Sequence, residues 1–165
     1  MRLAALLLFT FTLQIAHAKF LETKCNDSDC FSYGWTTIEP GTDYLLKSTC
    51  TNNDCVNVGW SSLDNRNSSY LVMCKAGGCF EHGWVSYQND NGLILIDNVS
   101  CKNSDCLSNG WNIDSTYDEG GEVICKNNDC GKFGGFSYWR NEISETKCLN
   151  SDCYRYGWTA DIQRM

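Results

Sequence analysis

A cysteine-anchored motif recurs six times in this chain and constrains its fold more than any other feature. Its consensus is C-x-[ND]-[SN]-D-C-x-x-x-G-W, and successive copies are 23 to 27 residues apart. In the fifth copy Gly135-Phe136 stands where the others have tryptophan. A fixed period in this range is typical of a repeat architecture. The copies begin at Cys25, Cys50, Cys74, Cys101, Cys125 and Cys148.

Each copy predicts two β-strands. A β-rich segment such as 70–73 precedes the first cysteine, and apolar residues alternate after the second, as in Phe31, Tyr33 and Trp35. Alternation with a period of two, in aromatic and β-branched residues, is typical of a half-buried strand. The Asn, Ser and Asp residues between the two cysteines favour a turn. We therefore predict six hairpins and about twelve strands.

The cysteines predict a disulfide across each hairpin tip. An even number of cysteines behind a signal peptide is typical of a disulfide framework, whereas zinc sites group cysteines in fours. Residues at the two ends of a four-residue loop lie at bridging distance. We expect no bound metal and no cofactor, and six bridges that use all twelve cysteines: Cys25, Cys30, Cys50, Cys55, Cys74, Cys79, Cys101, Cys106, Cys125, Cys130, Cys148 and Cys153.

The two ends of the repeat array resemble each other closely. The segment Glu22-Thr23-Lys24-Cys25 recurs as Glu145-Thr146-Lys147-Cys148. An open solenoid needs atypical capping units, and ring closure removes exposed sheet edges. The predicted fold is all-β: six disulfide-clamped hairpins closed into a ring, as a shallow barrel or a propeller-like array. An open β-solenoid is the alternative.

Residues 1–18 predict a cleaved signal peptide, with Arg2, an apolar segment and the sequence Ala16-His17-Ala18. The repeat domain is then 19–165, with 12 Lys and Arg against 20 Asp and Glu, a net charge of −8. We expect a secreted protein, extracellular or periplasmic, without a membrane span. Its acidic surface argues against a nucleic-acid partner. Asn26, Asn67 and Asn98 fit the glycosylation pattern.

Two groups of residues are candidate binding sites. The repeated tryptophans could stack on sugars, or could pack the units together. The third copy breaks the pattern, because its loop lacks Asn and Asp and is followed by Glu81 and His82. On the predicted strand, His82 shares a face with Phe80 and Trp84, either as a site or as a packed histidine. The tryptophans are Trp35, Trp60, Trp84, Trp111 and Trp158.

The sequence does not indicate an enzyme. His82 is the only histidine after residue 18, and no catalytic motif is present. The acidic loops could bind Ca²⁺, but each supplies few ligands, and turn chemistry explains them. We predict a binding module for a surface carbohydrate or an extracellular protein, because repeated units present several similar sites. The alternative is a structural component of a cell surface or matrix, with no small-molecule ligand.

Overall fold

The computed structural model describes residues 19–90, 92–116, 119–139 and 141–164. The predicted signal peptide lies outside these residues. They form twelve strands: β1 (Lys19–Cys25), β2 (Trp35–Ile38), β3 (Leu45–Cys50), β4 (Gly59–Asp64), β5 (Ser69–Cys74), β6 (Trp84–Asp90), β7 (Leu93–Cys101), β8 (Trp111–Ser115), β9 (Gly121–Cys125), β10 (Gly135–Trp139), β11 (Glu142–Cys148) and β12 (Trp158–Arg164).

The strands form one closed antiparallel barrel in sequence order. Each strand pairs with its neighbours in the chain, and β12 pairs with β1 to close the ring. At this junction Thr23 faces Trp158 and Lys19 faces Ile162. The predicted ring of six hairpin units is confirmed, and it is a barrel. The alternative prediction of an open β-solenoid is wrong. The first and last units, whose sequences resemble each other closely, are therefore neighbours in the barrel.

The segment after each second cysteine is not the predicted strand. In five units it is one turn of α-helix: α1 (Cys30–Tyr33), α2 (Cys79–His82), α3 (Cys106–Asn109), α4 (Cys130–Phe133) and α5 (Cys153–Tyr156). The strand begins only after the glycine that ends this turn, so Phe31 and Tyr33 do not share a face with Trp35. His82 likewise lies on α2, and its prediction on a strand with Phe80 and Trp84 is wrong.

The aspartate before the second cysteine stabilises this helical turn in the units that have it. The Asp29 carboxylate accepts hydrogen bonds from the backbone N–H groups of Phe31 and Ser32, at 2.9 and 3.1 Å. An N-cap aspartate satisfies donors that a helix start leaves unpaired. A further hydrogen bond from the Ser32 hydroxyl is the main reason why the pKa of Asp29 is lowered. Before the aspartate lies a short 3₁₀ turn, Asn26–Ser28 in the first unit.

The six disulfides join the two cysteines of each unit, as predicted. They also connect units, because the sulfur of each first cysteine lies 3.1–3.4 Å from a carbonyl oxygen in the turn that follows the preceding unit's second cysteine. A disulfide sulfur carries no proton, so this is a packing contact rather than a hydrogen bond. The contact between Cys25 and the Tyr154 carbonyl closes the circle. Six disulfides in a small domain indicate an extracellular environment.

The glycine before each tryptophan lets adjacent units approach closely. Gly34 has a positive φ of 84°, and a Cβ added there would lie 2.1 Å from the Ser48 carbonyl oxygen. Gly157 makes the same approach to Thr23 across the junction of the ring. These glycines therefore allow neighbouring units to pack at backbone contact distance.

The barrel interior is layered. Aromatic side chains from the helical turns lie at one end, with the Phe31 ring 5.2 Å from Phe80 and 4.7 Å from Tyr154. The tryptophans follow, and then a layer of paired hydroxyls, including Thr23 with Thr37 at 2.8 Å. Ser48 pairs with Ser62 in the same layer, at 2.7 Å. The first residue after each second cysteine contributes to the layer at the helical end, which we call the plug layer. The tryptophans form the adjacent layer, which we call the tryptophan layer.

Candidate functional site

The five tryptophans predicted as binding residues lie together inside the barrel. Each is paired in register with the first cysteine of its own unit. Neighbouring indoles contact one another with ring centres 5.4–6.1 Å apart. Trp35 and Trp84 are buried, and the other three are partly buried. The indoles form a continuous arc in the order Trp158, Trp35, Trp60, Trp84 and Trp111.

The arc is open at the fifth unit. Gly135 is paired with Cys125 in the register that tryptophan occupies in the other units. Trp111 of the fourth unit and Trp158 of the sixth unit are therefore the two ends of the arc, on either side of a position without a side chain. A larger residue at position 135 would clash with the neighbouring strand, since an added Cβ would lie 2.6 Å from the Ile124 carbonyl oxygen.

The fifth unit also lacks a side chain in the plug layer. The other units supply Phe31, Val56, Phe80, Leu107 and Tyr154 at this position, whereas the fifth supplies Gly131. The Tyr154 ring lies over Gly131, because a Cβ added to Gly131 would be 2.2 Å from Tyr154 Cε2. Tyr154 thus covers the gap from the helical end of the barrel.

A cavity of about 420 Å³ lies at the fifth unit, and Gly131 and Gly135 both line it. Trp111 and Trp158 line it, so two of the predicted binding tryptophans meet here. The remaining lining is mostly apolar and includes Phe31, Phe80, Leu107, Ile113, Val123 and Trp139, with hydroxyl groups on Ser137, Thr146 and Tyr154. Clefts that bind small molecules in proteins are of this size and apolar character.

Trp139, which the sequence analysis did not select, lies at the end of the cavity away from the helical turns. It is four residues after Gly135 on β10 and therefore on the same face of the strand. Its ring lies against Gly121, where an added Cβ would be 3.0 Å from Trp139 Cε3. Trp111, Trp158, Tyr154 and Trp139 thus surround the space that the fifth unit leaves empty.

The Tyr154 hydroxyl lies in a partly buried environment close to negative charges. Burial, together with the negative charges of Asp129, Asp105 and Asp152, raises the pKa of Tyr154 to about 12. The hydroxyl therefore keeps its proton at neutral pH and can act as a hydrogen-bond donor. The acidic loops at this end thus favour a neutral phenol beside the cavity.

The second predicted site, Glu81 and His82, lies elsewhere. Both side chains are exposed, with His82 Nε2 3.8 Å from Glu81 Oε2. They line a shallow groove of about 530 Å³ together with Asn57 and Asp105. Gly78 replaces the capping aspartate here, and α2 has no side-chain cap. The loop that looked unusual in sequence is thus an uncapped copy of the common turn, and a binding role for Glu81 and His82 stays a prediction.

The other loop residues act within their own turns. Asp54 accepts hydrogen bonds from the Asn57 backbone and side chain, both at 2.9 Å. No group of three or more metal-ligating side chains occurs among the described residues. Asn67 and Asn98 are exposed, whereas Asn26 is partly buried and donates to the Tyr33 carbonyl. Glycosylation of the three asparagines stays a prediction.

The structure defines a class: a small, disulfide-stapled, twelve-stranded barrel built from six tandem units. No family model matches the chain, and no solved structure matches it. A segment of 65 residues is 40% identical to mouse lysyl oxidase homolog 3. The match covers 33% of this chain and 9% of that much longer protein, so it does not assign the chain to a family. No helix in the described part of the chain is long and apolar enough to cross a membrane.

Proposed function

We propose that this chain is an extracellular, non-catalytic binding module that takes a small apolar ligand into the cavity of its fifth unit. The observation that carries the proposal is the coincidence of Gly131 and Gly135. Because of them, the fifth unit supplies no side chain to the plug layer at Gly131 and none to the tryptophan layer at Gly135. The Tyr154 ring covers the Gly131 position, and the space beside Gly135 stays open between Trp111 and Trp158.

The energetics favour a ligand in this space. A fully buried large apolar side chain stabilises a fold by about 1.5–3 kcal/mol, and the fifth unit forgoes this contribution in the tryptophan layer. An apolar ligand that fills the space would recover part of it by removing apolar surface from water. The strands on both sides of Gly135 are hydrogen-bonded into the closed barrel, which limits collapse of the chain around the gap.

The lining favours an apolar molecule over a sugar. A buried sugar needs hydrogen-bond partners for its hydroxyl groups, since an unpaired buried hydroxyl costs about 1–3 kcal/mol. Ser137 already shares a hydrogen bond with Ser144, at 2.5 Å. The carbohydrate, the protein partner and the structural role stay as alternative predictions, and secretion through the signal peptide belongs to the same proposal.

Substitution of Val123 by Phe is expected to block ligand binding. Val123 is buried and lines the cavity, so an added ring would occupy the space of the ligand. We expect 2-naphthol or n-octanol to bind the native protein with a dissociation constant of roughly 10–100 µM, and Val123→Phe to weaken binding at least about tenfold. Isothermal titration calorimetry measures both, with methyl α-mannoside as the sugar probe.

The matched control is Leu71→Phe, the same ring added to an exposed position on the outer face of β5. It should bind both apolar probes as the native protein does. Circular dichroism checks the fold of each variant, and Ile113→Phe offers a second way to fill the cavity. The proposal fails if no apolar probe binds at millimolar concentration, or if Val123→Phe and Ile113→Phe bind as tightly as Leu71→Phe. Binding of the mannoside instead would support the carbohydrate module.

A further inference from the structure

We infer that the ligand of this cavity is a planar, fused-ring aromatic molecule, which takes the place of the missing sixth indole. The inference rests on the proposed function and adds the chemical class of the ligand. Its basis is the geometry of the tryptophan arc on the two sides of Gly135.

Each indole within the arc contacts two others through ring edges and faces. Trp35, for example, lies 5.4 Å from Trp60 and 5.6 Å from Trp158, with interplanar angles of 62° and 58°. Such inclined arrangements are the ones aromatic rings prefer, because the positive edge of one ring meets the negative face of another. Neighbouring tryptophans therefore repeat the same kind of inclined ring contact around the barrel.

This series of ring contacts is interrupted at Gly135. Among the ring contacts of the described residues, Trp111 contacts Trp84 and Trp158 contacts Trp35, so each end of the arc has one indole neighbour. Both line the cavity, which lies where the next ring of the series would be. A flat aromatic molecule at this position gains an aromatic partner on each side. A saturated molecule of the same skeleton gains only apolar contact.

The side chains at the two ends of the space beside Gly135 are aromatic as well. Tyr154 lies over it from the plug layer and Trp139 borders it from the opposite end, so four aromatic side chains surround the ligand. The volume of about 420 Å³ leaves room for more than one ring. Aromatic contacts of this kind contribute beyond the area they bury, and two of them together favour the aromatic ligand by about tenfold or more.

A matched pair of ligands tests the inference: 2-naphthol and decahydro-2-naphthol, which share one skeleton and one hydroxyl. The saturated alcohol is the more apolar of the two, so burial alone predicts that it binds at least as tightly. We expect 2-naphthol to bind at least about tenfold more tightly. Calorimetric titration of each alcohol into the native protein gives the ratio.

Trp158→Leu should reduce this ratio to within about threefold, because it removes one aromatic wall and keeps an apolar one. Trp60→Leu is the matched control, since Trp60 belongs to the same arc but does not line the cavity, and it should keep the native ratio. Near-ultraviolet circular dichroism checks both folds, and Trp111→Leu replaces Trp158→Leu if the latter is unfolded.

The outcomes separate the two proposals. If both alcohols bind equally, or the saturated one more tightly, and Val123→Phe still abolishes binding, the aromatic class is wrong and the binding module stands. If the ratio survives in both Trp158→Leu and Trp111→Leu, the two indoles do not select the ligand. If neither alcohol binds the native protein but n-octanol does, only the aromatic class is wrong. If n-octanol fails to bind as well, both proposals fall.

Discussion

Reduction of the six disulfides is expected to unfold the barrel at 25 °C. Each bridge closes a small loop, with its two cysteines five positions apart. The loop-entropy model gives about 2 kcal/mol for such a loop, and so on the order of 12 kcal/mol for six. Domains of this size are stable by only about 5–15 kcal/mol. The bridges therefore contribute an amount comparable to the whole stability.

The disulfides matter further because they form much of the core. Cys30, Cys55, Cys79 and Cys106 have no exposed surface, and each joins a buried cluster with tryptophan. Near-ultraviolet circular dichroism, with and without a phosphine reductant, should show loss of the tryptophan signal on reduction. Retention of the native spectrum after complete reduction, verified by thiol titration, would contradict this account of stability.

Gly34→Ala is expected to lower the free energy of unfolding by more than about 3 kcal/mol. Gly34 has φ 84° and ψ −163°, a backbone conformation that only glycine adopts readily. An added Cβ would also lie 2.1 Å from the Ser48 carbonyl oxygen, on a strand of the next unit. The two strands would have to separate, and the contact between units would be lost.

Gly41→Ala is the matched control for this prediction. Gly41 has nearly the same φ, 85°, but nothing lies within 4 Å of an added Cβ. It should cost only the backbone term of about 1–2 kcal/mol. Urea denaturation of the oxidised proteins measures both variants, and equal losses would show that the close approach between units contributes nothing.

Much of this fold follows from the spacing of the cysteines. An even spacing of similar units, with ends as similar as neighbours, predicts a closed ring because closure leaves no edge strand. The pairing within each unit follows because a short loop brings its two cysteines together. Both conclusions depend on local geometry and on the count of units, which the sequence contains.

The helical turns were missed because the alternation of aromatic residues resembled a strand. Phe31 and Tyr33 are two apart in both a strand and a helix, but on a helical turn they point to different sides. Phe31 enters the plug layer, and Tyr33 is 49% exposed. The signal that would have found the turn is Asp29 directly before Cys30, in the N-cap position.

The cavity was missed for a different reason. The third unit looked exceptional because its loop composition differs, whereas the fifth unit differs by two glycines, Gly131 and Gly135. Glycine is common in loops, and its effect here depends on which interior layer each position enters. That assignment required the register of the whole barrel, because Gly131 lies on a helical turn and Gly135 on a strand.

The most direct test of the central claim is a ¹⁵N NMR titration of the tryptophan indole N–H groups with 2-naphthol. Assignment uses single Trp→Phe variants. The account predicts that the signals of Trp111, Trp158 and Trp139 shift with a common dissociation constant, while that of Trp60, which does not line the cavity, stays in place. Shifts confined to Trp60, or no shift at any indole up to the solubility limit of the ligand, would contradict it.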